Sequence, residues 1–335
     1  MRFFNWGIVG TGTVSHLFAE GLKSASGAVL YGIASRSPKK AKTFAEEFNI
    51  PVYYDNYRKL ASDPSVNIAY IGTPNSFHYE NSLLFLEKKK AVLCEKPFAM
   101  NYKQASEMIK TARKNNCFIM EALWSRFLPS ILKLQELVKN RIVGEPVGIK
   151  ADFGFYTPYN VESRLFNRSL GGGSLLDIGI YPVFLSLLLF GYPDSYSAHA
   201  IKTPCGTDLS TGIFFSWKSG KFAQLLSSFA VDLDSEAVIY CTRGKITLHS
   251  KFHMPTEISV TPPDGPMKKI PLTWRGNGYN YEAEEVMRCI SHNKIESSFL
   301  PHDFSLKLMK LLESLLERIE NSEPLLQPNL QYIKD

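Results

Sequence analysis

The chain has 335 residues, of which 44% are hydrophobic and 21% charged; that fits a folded protein with a large buried core and excludes a disordered chain. Its 38 basic and 32 acidic residues leave a net charge of +6, dispersed along the sequence, which excludes a nucleic-acid footprint. The five cysteines, Cys94, Cys117, Cys205, Cys241 and Cys289, are widely spaced and match no metal-ligand pattern. They predict reduced thiols in a cytoplasmic protein, and no metal site.

The first part of the chain alternates. An apolar run over Phe4 to Val9 predicts a strand, and helical periodicity follows from Val14 to Leu22. Ala28 to Ala34 reads as a second strand, then a helix from Pro38 to Phe48 with Ser37 as its cap. Further strands are expected at Ile68 to Gly72, Ala91 to Cys94 and Phe118 to Glu121, with helices at Phe77 to Leu86 and Tyr102 to Lys114 between them. Strands alternating with helices imply a parallel sheet. After about residue 123 the pattern changes. A helix over Ser130 to Lys139 leads into strand-like segments at Pro146 to Tyr156, Ser195 to Ile201, Gly212 to Trp217, Lys221 to Val231, Glu236 to Tyr240 and Lys245 to His249. An apolar helix over Ser174 to Phe190 interrupts them, and helices over Tyr281 to Cys289 and Asp303 to Ile319 close the chain. This half predicts a mostly antiparallel sheet with helices on one face. The expected division is a domain over residues 1–122 and an α+β domain over residues 123–335. Residues Met1 to Phe4 lack the serial regions of a signal peptide. The stretch Ile178 to Phe190, broken by Gly179 and Pro182, reads as too short to span a bilayer.

The first strand ends in Gly10-Thr11-Gly12-Thr13-Val14-Ser15. With a strand before and a helix after, this is the setting of a dinucleotide-binding loop: Gly10 for the tight turn, Gly12 for close approach of a pyrophosphate to the helix end. The second strand ends at Ser35-Arg36-Ser37, where an acidic residue would mark a preference for NAD. A guanidinium there suits the 2′-phosphate of NADP instead. Two later strand ends carry Thr73-Pro74-Asn75 with His78, and Glu95-Lys96-Pro97. Ligands of open α/β sheets bind beyond such ends, so both groups are candidate cofactor contacts.

These motifs, in this order, resemble those of the Gfo/Idh/MocA (glucose-fructose oxidoreductase / inositol dehydrogenase) family over nearly the whole chain. The resemblance continues in Gly171-Gly172-Gly173-Ser174-Leu175-Leu176-Asp177-Ile178-Gly179-Ile180-Tyr181 and in Tyr281-Glu282-Ala283-Glu284-Glu285-Val286 with Pro301 and Ser305. It implies an N-terminal Rossmann domain, a doubly wound parallel sheet, followed by a domain with an open, mostly antiparallel sheet. It also implies Lys96 as a catalytic residue. Many members carry His where this chain has Tyr181. That departure, with Glu121 to Pro129 and Arg164-Leu165-Phe166, is similar to the branch of dimeric dihydrodiol dehydrogenases and NADP-linked D-xylose dehydrogenases. The implied activity is hydride transfer between NADP(H) and a secondary alcohol or carbonyl of a sugar, polyol or cyclic diol. A ligand-sensing regulator on the same scaffold is the alternative, and the presence of Lys96, Asp177 and Tyr181 favours an enzyme.

Asp177 and Tyr181 are four residues apart on an expected helix and therefore share a face. Tyr181 is the candidate acid/base. A phenol titrates near ~10, and a neighbouring Lys96 ammonium would favour the phenolate. Asp177 would orient a substrate hydroxyl or Lys96, and an alternative assignment gives the proton transfer to Lys96 itself. Trp124, Arg126 and Arg164 are candidate substrate contacts, with Phe155 and Tyr156 as readily core residues. An uncovered apolar sheet face in the second half predicts a homodimer or higher homo-oligomer.

Overall fold

A computed structural model describes residues 3–321; Met1, Arg2 and residues 322–335 lie outside the described residues. The chain divides into two units, one of Met1–Leu128 with Trp274–Met309, the other of Pro129–Thr273 with Lys310–Asp335.

In the first unit, β1 (Phe4–Val9) is followed by α1 (Thr13–Leu22), β2 (Ala28–Ala34), α2 (Pro38–Phe48), β3 (Val52–Tyr54), α3 (Tyr57–Ser62), β4 (Ile68–Ile71), α4 (His78–Glu87), β5 (Ala91–Glu95), α5 (Tyr102–Lys114) and β6 (Ile119–Ala122). The six strands form a parallel sheet in the order β3-β2-β1-β4-β5-β6. Parallel strands are covered on both faces, which is why Ile68–Ile71 and Ala91–Glu95 are buried at every position. The order reverses between β1 and β4, so a crevice opens beyond their carboxyl ends. Local chemistry fixes the helix starts: Ser37 accepts from the Lys40 amide with Pro38 in the first turn, and Asn101 accepts from the Gln104 amide.

The second unit contains α6 (Pro129–Lys139), β7 (Pro146–Gly154), α7 (Ile180–Phe190), β8 (Ser195–Lys202), β9 (Asp208–Ser216), β10 (Phe222–Ser228), β11 (Ala237–Cys241), β12 (Gly244–Leu248), β13 (Glu257–Thr261) and β14 (Lys268–Pro271). The sheet runs β14-β13-β12-β11-β7-β10-β9-β8 and is antiparallel except between β7 and β10. Exposure alternates along β10, with Phe222, Gln224 and Leu226 outward and Ala223, Leu225 and Ser227 buried. Two helices end the described chain, α8 (Tyr279–Ser291) in the first unit and α9 (His302–Asn321), which is shared between the two.

The parallel sheet and the open, mostly antiparallel one are as expected. Four elements were not anticipated: β3, α3, β13 and β14, all of six residues or fewer. The expected division at residue 122 also differs from the observed grouping, because Trp274–Met309 packs with the first unit. The helical run containing α7 spans Ser174 to Phe190, as expected, and a short 3-10 turn over Arg168–Leu170 precedes it across the Gly171–Gly173 break. Arg168–Phe190 is long and apolar enough to cross a membrane by composition, but 83% of its most apolar window is buried inside the protein, as in a core helix.

Candidate active site

The loop after β1 shows why its glycines are needed. Gly10 has φ +99°, and a Cβ there would lie 2.9 Å from the Gly72 carbonyl oxygen. A Cβ on Gly12 would meet nothing nearer than 3.9 Å, so the backbone is open to a ligand on that side. Gly12 gives α1 no side-chain cap, and the amides of its first turn, Thr13 and Val14, face the loop as an anion-binding helix end. Gly10, Thr11, Gly12, Ser35, Arg36 and Thr73 line a cavity of about 300 Å³, along with Pro74. The residues present therefore fit a dinucleotide: a glycine cradle, an uncapped helix end and a basic rim.

Arg36 lies at the end of β2 with its guanidinium carbon 5.1 Å above the Phe77 ring. Beneath it, Ser35 Oγ accepts the Ser37 amide at 3.2 Å and stands 3.5 Å from Thr11 Oγ1. The rim is thus pre-ordered, with no acidic side chain at residues 34–37.

Beyond β4, Asn75 opens a short 3-10 turn, and Thr73 Oγ1 accepts from Asn81 Nδ2 at 3.2 Å. His78 is wholly buried, with Nδ1 2.9 Å from the Pro97 carbonyl and Nε2 2.9 Å from the Thr73 carbonyl. Burial pushes its pKa down to about 4, with the Lys96 charge acting the same way against the two carbonyls. The neutral ring donates to one carbonyl at a time. His78 consequently ties the Thr73 loop to the Pro97 loop and does not line the cavity.

Glu95 and Lys96 end β5. Glu95 is buried, so it is not half of a surface ion pair. Its Oε1 accepts the Tyr70 hydroxyl at 2.5 Å and its Oε2 the Lys96 amide at 3.2 Å. Two further buried carboxyls in this unit were quoted in the sequence without a role. Glu121 on β6 accepts the Phe98 amide at 3.0 Å and Ser305 Oγ at 2.7 Å. Burial raises its pKa to about 7; Ser305 and the Phe98 amide oppose the rise, Glu95 adds to it and Lys96 opposes it. Glu282 on α8 is fully buried with neither carboxyl oxygen partnered among the described residues. Burial first, then the Glu95 charge, pushes its pKa well above the carboxylate range. A signal existed: Glu282 falls on the apolar stripe of α8, with Tyr279, Ala283 and Val286.

In the second unit, Asp177 lies in a π-helical turn, Leu175–Gly179, at the head of α7. The expected helix over Ser174 to Phe190 is present, but its first turn is wider than α, a departure frequent at functional sites. Asp177 Oδ1 accepts from Arg164 Nη1 at 2.9 Å, and Arg164 is mostly exposed. Tyr181 is 6% exposed. Its ring is tilted against Phe153 at 5.7 Å and His253 at 5.1 Å.

The remaining aromatic and basic candidates are bound up in packing. Trp124 is buried and stacks on Tyr279 at 4.7 Å and 5°. Arg126 is buried, donates through Nε to the Phe299 carbonyl at 2.8 Å and lies over the Phe299 ring. Trp124 thus packs on α8, and Arg126 on the segment after it, both within the first unit. Phe155 packs on Phe229 at 5.2 Å, beside the cluster of Phe166, Ile178 and Leu209, while Tyr156 is partly exposed.

Residues 4–123 match a family model described as oxidoreductase family, NAD-binding Rossmann fold, and residues 131–247 match the GFO/IDH/MocA C-terminal domain. Trans-1,2-dihydrobenzene-1,2-diol dehydrogenase of Danio rerio is 34% identical over 323 residues, covering 94% of this chain and 96% of that protein. The human protein of the same name is 33% identical over 329 residues, with the same coverage of each. Among solved structures, the aldose-aldose oxidoreductase of Caulobacter crescentus superposes with a TM-score of 0.86 at 23% identity, covering 95% of this chain and 97% of that one. A 3-ketoreductase of Actinomadura kijaniata, in complex with NADP and TDP-benzene, gives 0.86 at 19% identity, covering 95% and 98%. At these identities the structural matches establish the fold.

Proposed function

The chain belongs to the GFO/IDH/MocA oxidoreductase family, and we propose that it is an NADP(H)-linked dehydrogenase or reductase of a secondary alcohol or carbonyl on a sugar, polyol or cyclic diol. The observation that carries this reading is the end of β5: Lys96 follows a buried Glu95 that Tyr70 anchors, in the unit whose Gly10–Gly12 loop forms an open phosphate cradle. The diol and sugar substrates of the relatives motivate the substrate class.

Gly10, Thr11, Gly12 and the first turn of α1 would hold the pyrophosphate, with Ser35 and Arg36 at the 2′-phosphate and Thr73, Pro74 and Asn75 along the rest of the cofactor. Bound NADP supplies the hydride acceptor, and NADPH the donor in the reverse direction. Tyr181 takes the alcohol proton at its phenolic oxygen as the carbonyl forms, and returns it during reduction. Asp177, oriented by Arg164, accepts a hydrogen bond from a substrate hydroxyl. Lys96 supplies positive charge where negative charge develops on oxygen. Its free cysteines support a cytoplasmic location. It is a homodimer through the exposed face of β7, β9, β10 and β11.

The test is reduction of NADP and NAD with a panel of aldoses and cyclic diols, for the wild type, Tyr181→Phe and Lys96→Met. The expected outcome is NADP-linked turnover that falls roughly 10²–10⁴-fold in each variant, with cofactor affinity retained. A folded Tyr181→Phe protein with wild-type turnover and pH profile would remove Tyr181 from the mechanism. No turnover of any panel member by the wild type would favour a ligand-sensing role.

A further inference from the structure

The helical run that carries Asp177 begins without a local cap: Ser174 precedes the π turn and makes no capping hydrogen bond to it. The first amides of a helix need acceptors. Here the acceptor comes from Asp208, at the start of β9 and 33 residues away in sequence. A single oxygen, Oδ2, accepts from the Leu175 amide at 2.6 Å, from Ser174 Oγ at 2.8 Å and from Thr211 Oγ1 at 2.9 Å. Ser174 Oγ in turn lies 3.0 Å from Ser227 Oγ on β10. The side chain of Asp208 is buried. Burial pushes its carboxyl above the ordinary range, and the three donors hold it down.

The glycine run before the π turn is shaped around this carboxylate. Gly173 has φ +120°, and a Cβ there would lie 2.1 Å from Asp208 Oδ1. A Cβ on Gly172 would come within 2.9 Å of the Leu165 and Arg164 carbonyl oxygens. The Gly173 amide donates to the Leu165 carbonyl at 2.8 Å, so the same tripeptide holds the backbone next to Arg164 and packs against the Arg164 carbonyl. Asp177 and its partner Arg164 are therefore both seated on a segment that Asp208 anchors.

We propose that Asp208 is a positioning residue for Asp177: by capping the π turn from β9 it fixes where the Asp177 carboxylate and the Arg164 guanidinium meet. The inference rests on the reading of Asp177 as a substrate contact. Asp208 touches no reacting atom. Its removal would free the amide of Leu175 and the hydroxyl of Ser174, and the turn would relax toward an ordinary α start, rotating Asp177 away from Arg164.

The experiment compares Asp208→Ala, Asp208→Asn, Asp177→Asn and the double variant Asp208→Ala/Asp177→Asn with the wild type. It uses steady-state kinetics with the best substrate, and hydrogen exchange of the peptide over residues 174–181. Asp208→Ala should lower kcat about tenfold or more with the KM for NADP unchanged. It should also speed exchange in that peptide while the parallel-sheet unit stays protected. Asp208→Asn keeps a carbonyl oxygen for the Leu175 amide and should restore most of the loss. The double variant should be little worse than Asp177→Asn alone, since the two act on one contact. Additive losses, or a loss in Asp208→Ala that Asn does not restore, would overturn the positioning role. If Asp208→Ala does not fold, the same comparison is read from Ser174→Ala and Thr211→Ala, which each remove a donor that holds the Asp208 carboxylate; wild-type kcat with wild-type exchange in both rejects it. Wild-type turnover in Asp177→Asn would instead overturn the reading of Asp177, and the inference with it.

Discussion

The hydroxyl of Tyr70 stands 2.5 Å from Oε1 of Glu95, with both side chains buried. Tyr70 also stacks on Phe18 at 3.7 Å and 3°, so its ring is fixed independently of the hydrogen bond. Tyr70→Phe keeps that stacking and deletes the donor. A hydrogen bond to a charged group is worth about 1.5–3 kcal/mol, and the expected loss of stability in denaturant unfolding is of that size. Unchanged stability would mean that Glu95 is satisfied without Tyr70.

Glu121 makes the stability of the first unit depend on pH. Its pKa is raised from 4.5 to about 7 by burial, so the folded state binds the proton more tightly than the unfolded chain. The resulting stabilisation is full below about 4.5 and is lost as pH rises to about 7. That interval corresponds to about 3 kcal/mol. Glu121→Gln keeps an acceptor for the Phe98 amide and a partner for Ser305, and it carries no charge at any pH. Urea unfolding should show the variant close to wild type at pH 4.5 and more stable at pH 8. A gap that does not widen with pH would show that Glu121 is ionised without penalty.

Arg36 carries the proposed preference for NADP. Its guanidinium rests over Phe77, at a strand end that has no acid. Arg36→Ala should weaken NADP binding by about 1.5–3 kcal/mol and leave NAD nearly unchanged, as read in fluorescence titrations with each cofactor. Equal losses for both would assign Arg36 to the adenine instead.

The exposed face of the second sheet gives the assembly prediction. Phe214 and Phe222 are outward and stacked at 6.3 Å and 11°, with Leu226 and Tyr240 exposed alongside. A Cβ on Gly148 of β7 would meet the Phe222 ring at 2.5 Å, so the patch is closely packed within its own sheet. Apolar side chains gathered on one open sheet face favour a self-complementary interface. Light scattering at micromolar concentration should give twice the chain mass for the wild type and the single chain mass for Phe222→Asp. A monomeric wild type would refute the assignment.

The sequence by itself determined the elements that local chemistry controls. The strands Phe4–Val9 and Ala28–Ala34 and the helices Pro38–Phe48 and Tyr102–Lys114 were readable to the residue, because apolar runs and the caps Ser37 and Asn101 are local signals. The Gly10–Gly12 loop was legible for the same reason, since its spacing carries its geometry. The short strands β13 and β14 were not, because antiparallel pairing with β12 and with each other, not their own pattern, makes them strands. Tertiary structure also decided which polar residues are buried. Nothing in the neighbours of His78 says that both ring nitrogens will meet carbonyls from separate loops. Likewise, Trp124 and Arg126 look like free aromatic and basic groups until Tyr279 of α8 stacks on the one and Phe299 receives the other, both from late in the chain. The π turn at Asp177 was hidden most completely. Its cap is an aspartate on another strand, and only the folded chain brings that carboxylate to the amides that lack an acceptor.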